Sequence, residues 1–183
     1  NSVPMLREAG EAGEHLTDRL TNEAMELIEK RDPDKPFYLN FWYYSVHNKK
    51  QAKSELIEKY TQKIAEKGLK ETFRRDPVTR ANLLTSETNP LYAAMLEPLD
   101  DSVGKVVKKL KEIGEYENTL FIFYSDNGPT TEDVPCTPLN GGKNSNYEGG
   151  VRVPAFMVWN GRINPGTEYK NAVYIGDERR HAH

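Results

Sequence analysis

Residues 119–124 constrain the fold most, because this run carries no charge and is followed, after Ser125, by Asp126-Asn127-Gly128. Apart from Leu120 the run is β-branched or aromatic, which is typical of a strand buried on both faces of a parallel sheet. Ligands of open α/β sheets bind at the carboxyl ends of the strands. A carboxylate beside an amide carbonyl there offers two hard oxygen ligands to Ca²⁺ or Mg²⁺. The tripeptide is also favourable turn chemistry, so a metal site and an Asx turn are both open interpretations.

A second group of motifs follows this strand in a fixed order. Gly-Gly-Lys stands at 141–143, Tyr-Glu-Gly-Gly at 147–150 and Arg-Val-Pro at 152–154. In order and spacing the whole set resembles the sulfatase family of the alkaline-phosphatase-like superfamily. Two upstream elements resemble the family as well, namely an apolar strand that ends near His47 and a long helix at about 89–104. The resemblance runs from about residue 16 to about residue 166.

Composition is consistent with a single domain and excludes some functions. A net charge of -3 and a pI near 5.9 give no electrostatic case for nucleic acid. No apolar stretch approaches the length of a membrane span, and the polar start is not a signal peptide. The mean hydropathy of -0.77 is low for an enclosed α/β fold. We therefore expect other segments to cover the sheet, and self-association where its apolar strands stay exposed.

Periodicity along the chain predicts a layered α/β sheet flanked by helices. Helices are predicted over 16–28, over 54–67 with Ser54 as cap and Gly68 as terminator, and over 91–113 before Gly114. Pro98 is expected to kink or split the third helix. Residues 69–90 are predicted to be a long charged connection and residues 126–150 a loop. Strands are predicted at 37–45, 119–124 and 153–159.

The resemblance implies a function and the extent of the domain. The chain, residues 1–183, is expected to be one partial sulfatase catalytic domain, with the amino-terminal nucleophile region and the carboxyl-terminal subdomain outside it. The complete enzyme would be a sulfuric ester hydrolase that uses Ca²⁺ or Mg²⁺ and a formylglycine made from a cysteine or serine outside this chain. The chain by itself is expected to be inactive. The alternatives are a phosphate or phosphonate monoester hydrolase of the same superfamily and a non-catalytic anion-binding remnant.

Four residues carry the predicted site. The resemblance assigns Asp126 and Asn127 to the metal, and Lys143 to catalysis and to the sulfate oxygens, whose charge must be neutralised as the S–O bond breaks. His47 follows an apolar strand, so we expect it at the strand's carboxyl end beside Asp126. A histidine there is either a hydrogen-bonded structural residue or a group that binds sulfate and protonates the leaving alkoxide. The resemblance favours the catalytic role, although Asn48-Lys49 replaces the family's common Thr-Pro.

Other candidate residues are interpreted as structural. The only cysteine, Cys136, lies in Cys-Thr-Pro-Leu-Asn, which mimics the Cys-x-Pro-x-Arg that sulfatases convert to formylglycine. Asn140 stands where the arginine is required, so we predict an ordinary loop cysteine. Residues 147–150 are predicted to shape the loop, Arg152 to be structural, and residues 179–183 to be a terminal tail.

The resemblance sets the substrate class and a tendency in localisation. Related sites act on sulfated sugars, steroids and aryl esters, so a sulfated small molecule or glycan is the expected partner. Extracytoplasmic placement is a family tendency only.

Overall fold

The structure is a computed structural model that describes residues 13–171. The predicted tail at 179–183 therefore lies outside the described residues. The helices are α1 (Leu16–Glu29), α2 (Ser54–Glu66), α3 (Pro90–Glu112) and α4 (Glu148–Val151), with a 3₁₀ turn at Tyr116–Asn118. The strands are β1 (Phe73–Arg75), β2 (Asn82–Leu84), β3 (Phe121–Tyr124) and β4 (Ala155–Val158). None of these helices combines the length and the apolar character that a bilayer crossing requires.

The helices α1 and α2 both pack against the long helix α3. Ile28 from α1 meets Val106 and Leu110 from α3 in a buried cluster, and Leu39 and Phe41 of the following extended segment pack against it. Burial of such side chains contributes about 1.5–3 kcal/mol each. This cluster fixes the extended segment, and the turn with His47 beyond it, against the helical layer.

The ends of the helices agree with the predicted terminating glycines but not with the predicted cap. Gly68 and Gly114 follow α2 and α3 with positive φ values of 61° and 78°, as expected for helix-terminating glycines. Ser54 is the first helical residue, so its predicted capping role is wrong; Lys53 occupies the cap position without a side-chain cap bond. Pro98 does not split α3, which runs unbroken from Pro90 to Glu112. Because its ring is buried, packing offsets the hydrogen bond that a proline cannot donate.

The segment at 37–45 is extended but is not a strand of any sheet within residues 13–171, so this prediction is wrong. Its side chains alternate as a strand's would. Leu39 and Phe41 face the helices, whereas Tyr38 is 86% and Trp42 75% exposed. A strand assignment requires a neighbour that receives its backbone hydrogen bonds, and no described segment supplies one.

The strand β3 pairs antiparallel with β4, with Ile122 opposite Met157 and Phe123 opposite Phe156. The rings of Phe123 and Phe156 stack with centroids 5.0 Å apart. The predicted parallel, doubly buried strand is therefore wrong within the described residues, because Ile122 is 38% exposed and the observed neighbour runs the opposite way. Both predicted strands do exist; each begins two residues later than predicted, and β4 also ends one residue earlier.

The stretch at 69–90 contains a hairpin that the sequence analysis missed. The strands β1 and β2 pair antiparallel, with Phe73 opposite Leu84. Asp76 shapes the connection between them, since its Oδ1 accepts the amides of Val78 at 2.8 Å and Thr79 at 2.9 Å. Leu83 and Leu84 are almost fully buried, and their burial compensates for the short strands. The expected charged connection is thus a small structured unit.

Candidate functional site

The Asp126-Asn127-Gly128 segment forms a bend one residue after the end of β3, and side-chain hydrogen bonds hold it. The amide of Asn127 donates to Asp126 Oδ1 at 3.0 Å, and Asn127 Nδ2 donates to the carbonyl of Gly128 at 2.9 Å. Ser125 Oγ donates to the carbonyl of Asn127 at 3.0 Å. Within the described residues, Asp126 Oδ2 and the side-chain oxygen of Asn127 accept no hydrogen bond. The chain bends here, but the predicted Asx turn is not formed, because the amide of Gly128 donates to the carbonyl of Gly150 and not to Asp126.

The Gly-Gly-Lys loop is bound to this turn through the backbone. The amide of Lys143 donates to the carbonyl of Pro129 at 2.8 Å, and the amide of Gly128 donates to the carbonyl of Gly150 at 2.8 Å. A Cβ on Gly128 would lie 1.8 Å from the carbonyl oxygen of Gly149, so only glycine permits this approach. These contacts bring Lys143 to the segment that carries Asp126 and Asn127.

The Tyr-Glu-Gly-Gly segment shapes the loop, as predicted. Gly149 and Gly150 are buried in the middle of the short helix α4, and the amide of Gly149 donates to the carbonyl of Asn140 at 2.8 Å. A Cβ on Gly150 would lie 2.1 Å from the carbonyl oxygen of Ser145. Arg152 pairs on the surface with Glu148, at 3.1 Å, which agrees with a structural role.

His47 lies in an exposed turn that is tied to the same loop system. Its amide donates to the carbonyl of Tyr44 at 2.9 Å, and its Nδ1 lies 3.0 Å from the carbonyl oxygen of Asn48. The tie is made by Lys50, whose ammonium pairs with the carboxylate of Asp133 beyond the Asp-Asn-Gly turn. Thr130 also donates to Asp133.

The Lys50–Asp133 pair is well sheltered from solvent. Burial alone would raise the pKa of Asp133, but the hydrogen bonds from Lys50 and Thr130 and the Lys50 charge outweigh it and lower that pKa. The carboxylate is therefore held ionised, and the tether persists at neutral pH.

The structure thus unites three of the four predicted residues. Asp126, Asn127 and Lys143 belong to one loop system, and the turn that carries His47 is joined to this system by the Lys50–Asp133 pair. Residues 13–171 contain no group of three or more His, Cys, Asp or Glu side chains placed to hold a metal ion. Asp126 and Asn127 alone supply too few ligands for Ca²⁺, which takes about six to eight oxygens.

Two further residues hold the Gly-Gly-Lys loop, and sequence reasoning missed both. Asp76, with 0% exposure, accepts the amide of Gly141 at 2.8 Å through Oδ2. Arg74 donates to the carbonyl of Leu139 at 2.5 Å and to Asn140 Oδ1 at 3.2 Å. The Asp-Pro dipeptide at 76–77 is a turn signal that could have indicated the hairpin. Nothing local could have indicated its partner 65 residues further along the chain.

Cys136 is buried against this loop, as an ordinary structural cysteine would be. Its thiol donates to the carbonyl of Gly149 at 3.4 Å. Burial raises the pKa of the thiol, although the charge of Arg74 opposes that effect. The thiol is therefore protonated at neutral pH and poorly nucleophilic.

Asp76 should make the stability of the protein depend on acid pH. The amide of Gly141, followed by that of Thr79, lowers the pKa of Asp76 to about 2. An unfolded aspartate titrates near about 3.9, so the folded state binds the proton more weakly and its stability falls as pH drops from about 4 toward 2. In thermal denaturation, the melting temperature of wild type should exceed that of Asp76→Asn most above pH 4, and the gap should shrink below it. A gap independent of pH would contradict this origin of the stability.

Comparisons with known proteins agree with the motifs. The family model described as Sulfatase matches residues 2–178. The chain is 32% identical over 167 residues to the uncharacterized sulfatase YdeN of Escherichia coli and 31% identical over 166 residues to arylsulfatase J of Mus musculus. These alignments cover 87% and 90% of this chain. The crystal structure of Ps i-CgsB in complex with k-i-k-neocarrahexaose superposes with a TM-score of 0.64 at 31% identity, over 81% of this chain and 29% of that one.

These matches define the class of the protein as a mixed α/β domain of the alkaline-phosphatase-like type, as predicted. The chain belongs to the sulfatase family. It spans 26% of the length of YdeN and 24% of that of arylsulfatase J. It therefore corresponds to about a quarter of these relatives.

Proposed function

We propose that this chain is the middle-to-late part of the catalytic domain of a sulfuric ester hydrolase. Residues 1–183 would form one partial domain of the full-length enzyme, with a nucleophile region before it and a carboxyl-terminal subdomain after it. The family match and the quarter-length coverage of the relatives support this extent. The observation that carries the proposal is the pair of 2.8 Å backbone bonds from Lys143 to Pro129 and from Gly128 to Gly150.

Asp126 and Asn127 would hold the divalent cation, Ca²⁺ or Mg²⁺. The fit rests on the two side-chain oxygens that the turn leaves without hydrogen bonds. They are hard ligands of the type these cations prefer. The remaining ligands would come from other parts of the full-length enzyme. When bound, the cation supplies positive charge that offsets charge on the sulfate oxygens and the nucleophile.

Lys143 would bind the sulfate of the substrate. Its ammonium would offset the negative charge on the sulfate oxygens as the ester bond breaks. The hydrogen bond from its amide to the carbonyl of Pro129 fixes the backbone from which the Lys143 side chain extends. Such fixed charges act without reorganising at the moment of reaction.

The nucleophile would come from outside this chain, as a formylglycine made from a cysteine or serine. Cys136 does not suit that role, because it is buried against Gly149 and its pKa is raised. The isolated chain is accordingly proposed to be inactive, since binding groups alone do not complete covalent catalysis.

A sulfated small molecule or glycan is the proposed substrate, without a nucleic acid partner. Relatives in the comparison are named steryl-sulfatase and N-acetylgalactosamine-6-sulfatase. They do not restrict the substrate further. Self-association of the isolated chain through the exposed face of Tyr38 and Trp42 is part of the same proposal.

The proposal is tested by assaying the full-length protein with 4-nitrophenyl sulfate and 4-nitrophenyl phosphate in parallel, with and without a chelator. We expect hydrolysis of the sulfate ester, lost on chelation and restored by Ca²⁺ or Mg²⁺. Preference for the phosphate ester would favour the phosphatase alternative. Tight binding of inorganic sulfate without turnover of either ester would favour the anion-binding alternative.

His47→Ala should separate substrates by the basicity of their leaving groups. If His47 protonates the departing oxygen, its loss should lower kcat for alkyl sulfates by about a hundredfold to ten-thousandfold. Activated aryl sulfates should be affected much less, because a leaving group of low pKa needs little protonation. Steady-state kinetics on the two substrate types measures this difference, and Asn48→Ala in the same turn is the matched control. Equal losses on both substrates would remove His47 from the acid role.

A further inference from the structure

We infer that Arg74 and Asp76 of the β1–β2 hairpin are positioning residues that hold the 137–143 segment so that Lys143 meets the substrate. The inference rests on the proposed function, because it assigns a purpose to the placement of Lys143. It adds two residues that lie outside the sulfatase motifs described above.

Asp76 is the central anchor. Its carboxylate is fully buried, and both of its oxygens are used: Oδ1 by the amides of Val78 and Thr79, and Oδ2 by the amide of Gly141. The first two bonds belong to the hairpin itself. The third reaches the Gly-Gly-Lys motif, two residues before Lys143. A buried charge is stable only while its hydrogen-bond donors remain in place, so the carboxylate strongly favours the loop position in which Gly141 donates to it.

Arg74 forms a second set of contacts with the segment that leads into the motif. Its Nε donates to Thr137 Oγ1 at 3.2 Å, and its terminal nitrogens donate to the carbonyl of Leu139 at 2.5 Å and to Asn140 Oδ1 at 3.2 Å. A planar guanidinium can satisfy several acceptors at fixed angles, which the point charge of a lysine cannot do. Asn140, which breaks the apparent Cys-x-Pro-x-Arg pattern, is therefore used as an acceptor for Arg74.

The Asp76 anchor and the backbone bond to Pro129 leave the Lys143 backbone little freedom. Asp76 holds the amide of Gly141, and Pro129 accepts the amide of Lys143 at 2.8 Å, so both sides of Gly142 are fixed. The hairpin also joins the loop at a second place, where the amide of Leu84 donates to the carbonyl of Thr131 at 3.3 Å. A displacement of about 1 Å at a catalytic group can cost about a hundredfold in rate. Loss of the hairpin contacts should therefore lower the reaction rate by displacing Lys143.

The test is a double-mutant cycle in the full-length enzyme with Asp76→Asn, Lys143→Ala and the double variant, assayed with 4-nitrophenyl sulfate. Asp76→Asn keeps the side-chain shape but removes the charge. In the wild-type background we expect it to lower kcat/KM by roughly 10- to 100-fold. In the Lys143→Ala background it should cost less than about threefold, because the group it positions is absent. Ca²⁺ affinity should be unchanged, and Asp32→Asn, at an exposed Asx turn, is the matched control.

Arg74→Lys tests the same inference with the charge retained, and it carries the test if Asp76→Asn does not fold. It should show the same dependence on Lys143, whereas Arg75→Lys on the same strand should behave like wild type. Equal losses in both backgrounds, or no loss at all, would overturn the positioning role while leaving the role of Lys143 intact. A Lys143→Ala enzyme near wild type would instead overturn the proposed role of Lys143 in sulfate binding, and a full-length protein without sulfate ester hydrolysis would overturn the proposed function.

Discussion

Lys143→Ala is expected to lower kcat for sulfate ester hydrolysis by about a hundredfold to a thousandfold, the usual cost of losing one fixed electrostatic contact to a transition state. The loss should appear mainly in the rate, because the charge on the sulfate oxygens grows as the ester bond breaks. Metal binding should persist, since the ammonium is not a ligand. Steady-state kinetics and calorimetric titration with Ca²⁺ on the same preparation measure the two effects.

Lys67→Ala is a suitable control for this change, because it removes an exposed ammonium at the end of α2. We expect that variant to retain wild-type rates. If Lys143→Ala also retains them, Lys143 is only a loop residue and the Gly-Gly-Lys motif has no part in sulfate binding.

Asp126→Ala is expected to weaken Ca²⁺ binding and to reduce turnover together. The change removes the charged ligand of the proposed pair. The neutral side-chain oxygen of Asn127 is then the one ligand of the pair that remains. A cation that needs about six to eight oxygens loses both a ligand and the charge that draws it in. Calorimetry should show a lower affinity, and activity should recover in part at high Ca²⁺ concentration.

Asp100→Ala, which removes an exposed carboxylate from α3, controls for the change in net charge. Its Ca²⁺ affinity should match that of wild type. Unchanged affinity in Asp126→Ala would mean that Asp126-Asn127-Gly128 is a turn and nothing more.

The local elements could be predicted wherever side chains repeat with a clear period. The long stripe of α3 and the glycine that ends it defined that helix to within one residue at each end. The strand character of 37–45 was visible in its alternation, yet the segment has no strand partner among residues 13–171. The direction of β3 was mispredicted for a similar reason. Pairing depends on a neighbour distant in sequence, and composition does not state which neighbour it is.

The residues of the candidate site were also predicted or missed according to whether their signal is local in the sequence. Asp126, Asn127 and Lys143 were found because each lies in a compact motif with fixed spacing. Arg74 and Asp76 were missed because their partners lie in the 137–141 segment, more than 60 residues away in sequence. The Lys50–Asp133 tether of the His47 turn was missed for the same reason, since it joins residues 83 positions apart. Contacts of this kind follow from the fold and have no local sequence signal.

The most direct test of the account is a crystal structure of the full-length protein grown with Ca²⁺ and inorganic sulfate. The account predicts a cation at about 2.3–2.6 Å from side-chain oxygens of both Asp126 and Asn127, and a sulfate whose oxygen accepts a hydrogen bond from Lys143 Nζ at about 2.7–3.2 Å. A cation bound by other residues, or a Lys143 side chain directed away from a bound sulfate, would contradict it.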